Sequence, residues 1–254
     1  HFMFGFFKKK PEVAPKAKAS PAVTAMRAMI DAQEASNPQI RAIMTGKDIT
    51  ENVLEMLKDE KGVRVENALG LLGALAGFSC SYVVMRQLAD GSLEMKEPEI
   101  VIVKLKDGSE WLFGDAVNSR LVEGVEISGQ KLSVWALIAG KVQQLGNPLT
   151  LDIKELFGRV AEAIGKPKFG HADLPDAHRP TDTPQDYVKY LFPKVLPLLD
   201  RYGLAPEQYF LALALSAQEV MQMAKGTIAP DLAAIILMEY AVPASKLTAV
   251  PKPT

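Results

Sequence analysis

The longest uncharged apolar run in the chain, NALGLLGALAGFSCSYVVM over residues 67–85, lies between Glu66 and Arg86. A bilayer crossing asks for about 20 apolar residues, but this run is diluted by Asn67, Gly70, Gly73, Gly77, Ser79 and Ser81 and holds few leucines. The pattern predicts a central helix packed on every side, because a helix that is apolar all round belongs in a core. Gly70, Gly73 and Gly77 follow at spacings of three and four. On a helix they share one side, where a missing side chain lets another element approach closely. After Gly77 the residue types turn β-like, since Phe78, Tyr82, Val83 and Val84 are aromatic or β-branched. A helix ending near Gly77, followed by a strand over residues 79–85, is therefore the expectation.

On either side the periodicity alternates between helix and turn. Val23, Met26, Met29 and Ile30 recur at helical spacing until Asn37-Pro38 ends the pattern. A second helix is expected from a Thr50 N-cap, carrying Val53, Leu54, Met56 and Leu57 towards Gly62. The clearest β signal is EIVIVKL, KDGS and EWLFG over residues 99–114, where Asp107-Gly108 is a hairpin dipeptide. A bare hairpin is marginal in water and needs a third strand or a helix, and residues 79–85 are the expected donor.

Helices are then expected at 115–123, 132–145 and 153–164, the last capped by Thr150 or Asp152, with the sheet finished at 114. Periodicity lapses over residues 166–183, KPKFGHADLPDAHRPTDT. Thr183-Pro184 opens a further helix, which Pro193 and Pro197 should kink or divide. Two apolar helices, 206–224 and 230–240, should pack as a hairpin. The fold class is predominantly helical α+β. It comprises a tail at 1–20, an α+β unit at 21–165 with a small antiparallel sheet, a linker loop at 166–183, a helical unit at 184–242 and a tail at 243–254.

Composition narrows the partners. With 254 residues, 48% of them hydrophobic and 23% charged, the chain can bury a core that needs neither disulfide nor metal, and no cofactor is expected. A formal net charge of −1 removes the electrostatic argument for nucleic acid. The single cysteine, Cys80, fits a reducing, cytoplasmic setting. His1 and Phe2 precede what reads as a start at Met3; Phe4, Phe6 and Phe7 are then followed by Lys8, Lys9 and Lys10 and by a proline-punctuated stretch to Pro21. A secretory signal has the opposite order, cations first. The arrangement suits a peripheral contact at the inner face of a membrane, with lysines worth about 1 kcal/mol each against anionic lipid, or else a solvated tail.

Candidate chemistry gathers in the loop, where His171, Asp173, Asp176 and His178 precede Asp182 and Asp186. Imidazole and carboxylate together are what zinc, manganese or non-haem iron takes. The spacing fits no HExxH, CxxC or calcium-loop pattern, and Asp in proline-rich loops also serves turns. Cys80, in Gly77-Phe78-Ser79-Cys80-Ser81, has half of a nucleophile elbow, with Ser81 where the second glycine belongs, so a buried core thiol is the stronger reading. The glycines at 70–77 match neither phosphate-binding pattern. Tyr187, Tyr190 and Phe192 are aromatics of the kind that anchor interfaces. The expected function is a non-enzymatic, bacterial-type binding or adaptor protein with a protein partner and a membrane contact through Phe4, Phe6, Phe7 and Lys8 to Lys10. The alternative is a metal-assisted hydrolase using His171, Asp173, Asp176 and His178.

Overall fold

The structure is a computed structural model and describes residues 20–251. It is predominantly helical, with two small antiparallel two-stranded sheets, as the pattern of the chain predicts.

The apolar run forms one unbroken helix, α3 (Val65–Asp90), closed by Gly91 in the left-handed region at φ 79°. The strand expected at 79–85 does not form. Phe78 and Tyr82 place their rings 4.7 and 5.2 Å from Phe192, so these β-prone residues find partners around a helix, and packing overrides propensity. Ser79 and Ser81 return their hydroxyls to the carbonyls of Ala76 and Phe78, at 2.7 and 2.9 Å, which satisfies them inside an apolar segment. The helix is long and apolar enough to cross a membrane, but 89% of its most apolar 18-residue stretch is buried by the rest of the fold.

Its cover comes from α7 (Pro184–Arg201), α8 (Tyr209–Met223) and α9 (Pro230–Ala244). Helices α8 and α9 were expected to pack on each other; α9 instead packs principally on α3, and α8 is shared equally between α3 and the helix over Ile40–Leu57. The glycine side of α3 admits a close neighbour, as expected, and that neighbour is α9. A Cβ added at Gly73 or Gly77 would run into the backbone carbonyl of Leu237 or Ala241, respectively, so only glycine admits the second helix this closely. Helix α7 runs through Pro193 and Pro197 without dividing, its first turn capped by the Thr183 hydroxyl.

On the other flank α1 (Pro21–Glu34) precedes α2 (Ile40–Leu57). Thr50 lies inside α2 rather than at its start, bonding the Gly46 carbonyl at 3.0 Å and the Ser216 hydroxyl of α8 at 2.8 Å. Arg41 ties α1 to α2 through Asp31 and Glu34, at 2.6 and 2.8 Å.

The expected hairpin is β1 (Val101–Lys104) and β2 (Glu110–Phe113), in register Val101 to Phe113 and Lys104 to Glu110, with Gly108 at φ 86° in the turn. After α4 (Asp115–Asn118) and a π turn, Ser119–Glu123, a second hairpin appears where none was expected, β3 (Val125–Ile127) and β4 (Gln130–Leu132). Its turn residues Ser128 and Gly129 are both left-handed, at φ 52° and 78°, the pairing that suits two-residue hairpin loops. Helices α5 (Val134–Gln144) and α6 (Ile153–Ala163) follow, the latter capped by Asp152.

The edge of β2 is met not by residues 79–85 but by the end of the chain. Residues 243–250, expected as tail, finish α9 and turn back, so that the Leu112 amide donates to the Lys246 carbonyl at 2.9 Å and Trp111 bridges Leu247. Buried apolar residues from Ala42 to Leu247 form one continuous cluster.

Candidate functional site

The loop at 166–183 is tied down by side chains from the start of α3, from α7, where Gln185 donates to the Phe169 carbonyl at 3.3 Å, and from α9. His178 Nδ1 lies 2.9 Å from the Glu66 carboxylate in the first turn of α3. The Thr181 amide donates to the Asn67 side chain at 3.0 Å, and Arg64 donates to the Ala177 carbonyl at 2.9 Å. From α9, the Tyr240 hydroxyl donates to the Asp182 carbonyl at 2.9 Å. Glu239, 3% exposed, accepts the Asp173 amide at 3.1 Å and the Arg159 guanidinium of α6 at 2.5 Å. Phe169 packs edge-on to Trp111, with centroids 4.4 Å apart. The loop is thereby a strap across one end of α3 and α9.

Contacts within the fold engage two of the four candidate ligands, His178 and Asp176, through their side chains. His178 is engaged with Glu66, Asp176 forms an exposed ion pair with Arg179 at 2.6 Å, and Asp173 contributes its backbone amide to Glu239. His171 is exposed beside a cavity of about 320 Å³ whose walls include Arg179, Thr181, Asp182, Thr183 and Tyr240. His171, Asp173, Asp176 and His178 do not converge, and among the described residues no group of three or more His, Cys, Asp or Glu is placed to hold a metal ion. Burial alone would raise the Glu66 carboxyl, but hydrogen bonds from His178 and its own backbone amide, with the charge of Arg64, bring it below the usual carboxylate range.

Cys80 is fully buried, donates to the Ala76 carbonyl at 3.3 Å, and has its thiol pushed up to about 12 by burial. It stays a thiol at neutral pH, as a core residue should. Of the expected aromatic anchors, Tyr187 and Phe192 turn inward and are 2% and 1% exposed, whereas Tyr190 is 53% exposed with the Lys189 ammonium 4.7 Å above its ring. Proximity to the other core aromatics explains the difference, since Phe192 serves Phe78 and Tyr187 serves Tyr240. Phe4, Phe6, Phe7, Lys8, Lys9 and Lys10 lie outside the described residues.

Three residues that sequence reasoning passed over have structural weight: Glu239 and Arg159, which anchor the strap, and Lys246, which is buried at the end of the chain. The signal for Glu239 was its isolation in the apolar ILMEYAV of α9. A lone carboxylate there must find a cation or a donor.

A separate surface feature is a shallow apolar groove of about 110 Å³ between α2, α3 and α8, lined among others by Leu54, Val63, Val65, Val220 and Met223. Met223 is 58% exposed at this groove, and Met56 of α2 is 38% exposed. Comparison of the chain with protein-family models, curated proteins and solved structures finds no match.

Proposed function

We propose that the protein is a non-enzymatic binding or adaptor protein whose partner is another protein, and that its docking face includes the apolar groove between α2, α3 and α8. The observation that carries this reading is the exposure of Met223 beside Leu54, Val63 and Val220. Methionine is flexible and polarizable, and methionine-bearing apolar surfaces suit partners of varied shape. The titratable groups of the strap support the same reading, because Glu66, His178, Asp176 and Glu239 are each engaged in holding the loop. Peripheral attachment to the cytoplasmic face of a membrane through Phe4, Phe6, Phe7 and Lys8 to Lys10 is part of the proposal and rests on the sequence alone.

Affinity capture from lysate of the source cells tests the reading when the unchanged protein is run beside Met223→Glu, a charge placed at an exposed site. A protein retained by the first and lost with the second supports the groove. Equal retention by both, or retention by neither, counts against it. For the membrane contact, co-sedimentation with anionic vesicles should fall when residues 3–10 are removed. The hydrolase alternative requires stoichiometric zinc, manganese or iron by elemental analysis of protein purified without a metal-affinity step, and the placement of His171, Asp173, Asp176 and His178 favours a blank.

A further inference from the structure

Lys246 is the one lysine among the described residues that is buried, at 3% exposure. Its Nζ lies 5.1 Å from the centre of the Phe113 ring of β2 and 5.0 Å from that of Phe157 of α6. Among the described residues no carboxylate pairs with it. Glu110 of β2 is held by Lys104, Glu239 of α9 by Arg159, and Arg120 of the π turn donates to the Ala116 carbonyl. The titratable group facing it from α3 is the Cys80 thiol, which is neutral. Residues 245–250 carry no charge other than that of Lys246.

Lys246 also sits where the chain end is fastened. Its own carbonyl accepts the Leu112 amide, Leu247 bridges Trp111, and the Thr248 hydroxyl reaches the Glu110 carbonyl at 3.4 Å. The segment covers the outer edge of β2 as a third, minimal strand. We infer that residues 245–250 act as a proton-controlled clamp on the β1–β2 hairpin, closed when Lys246 is a neutral amine between Phe113 and Phe157 and loosened when it is charged.

The direction follows from where the proton is better held. Burial, against only the weak attraction of two aromatic faces, brings the clamped amine down to about 8, whereas a released lysine takes its proton at the ordinary value near 10.5. The released segment therefore binds the proton more tightly, and opening is favoured as the pH falls from above 10 towards 8. Below about 8 both forms are charged and the bias is constant. Release would bare the amide of Leu112 and with it the edge of β2, a surface that accepts an added strand.

Hydrogen exchange on the full chain, corrected for the intrinsic rate at each pH, tests the clamp at the Leu112 amide, with amides of α3 as internal reference. Protection at Leu112 should rise by about tenfold or more between pH 7 and 9.5, a change consistent with the linked proton. In Lys246→Met it should be high and flat across the same range, while the α3 amides stay unchanged in both proteins. A Leu112 profile that is flat in the unchanged protein, or that rises equally in Lys246→Met, would overturn the proposal. So would a rise shared by the α3 amides, which reports global stability and not a local clamp. Should Lys246→Met fail to fold, Lys246→Leu takes its place with the same flat profile expected, and a flat Leu112 profile in the unchanged protein still overturns the proposal.

Discussion

Helix α3 is held in two ways, and the two differ in what they tolerate. Along α9 it is met by backbone: Gly73 and Gly77 lie against the carbonyls of Leu237 and Ala241, and nothing there can give way short of moving a whole helix. At its N-terminal end it is met by the strap, where a Cβ added at Gly70 would come 2.7 Å from the ring of Pro180, a residue on a loop. Both contacts exploit glycine. One is a rigid wall and the other a fitting that can shift, so the same substitution should read out very differently along a single stretch of helix.

The largest effect is expected for Gly77→Ala. It forces α3 and α9 apart in a close-packed core and should cost about 4 kcal/mol, towards the exceptional end of single substitutions, read as a lower denaturation midpoint in urea. Next comes the strap's anchor. Glu239→Gln leaves Arg159 with a neutral partner and should lower stability by about 2 kcal/mol, less than a wholly buried pair because Arg159 is 32% exposed.

Gly70→Ala should cost about 1 kcal/mol, and adding Pro180→Ala should recover part of it, a coupling that a double-mutant cycle measures. No second substitution of a side chain should rescue Gly77→Ala; if one does, the distinction between wall and fitting is lost. The smallest effect is that of His178→Ala, below about 1 kcal/mol at neutral pH, because the contact with Glu66 is partly exposed. Its pH dependence carries a sign. Glu66 is lowered in the fold, so its contribution is present above the unfolded carboxylate value of 4.5 and is lost as the pH falls through the folded one. Removing His178 should shrink that acid-side loss.

The same contrast explains what could be read from the sequence. The glycines of α3 were legible as packing, because periodic small residues in an apolar helix have few other uses. The Asp107-Gly108 hairpin was legible for the same reason: its chemistry is local. What failed was long-range. The strand expected at 79–85 rested on side-chain preference, and Phe192 and Tyr209, distant in the chain, decide those residues as helix. Thr50 had the chemistry of a cap, but its actual partner Ser216 lies on α8. The second hairpin has three-residue strands, too short to show an alternating pattern. At the loop, the clustering of His and Asp was plain, but its meaning depended on Glu66 and Glu239, which the sequence places far away on α3 and α9. Lys246 looked like part of a solvated end, since no local signal marks a lysine that a distant phenylalanine pair will bury.

The order in which these pieces leave the ribosome gives the central helix a further significance. Helix α3 precedes β1 and is synthesised long before α7, α8 and α9, the three helices that surround it. During that interval it is a membrane-length apolar segment without its cover, open to chaperones, to bilayers and to other nascent chains. Because the glycine face needs the backbone of α9 to complete it, final closure waits for the C-terminal part of the chain, and a chain cut short before Pro230 would leave Gly73 and Gly77 facing nothing.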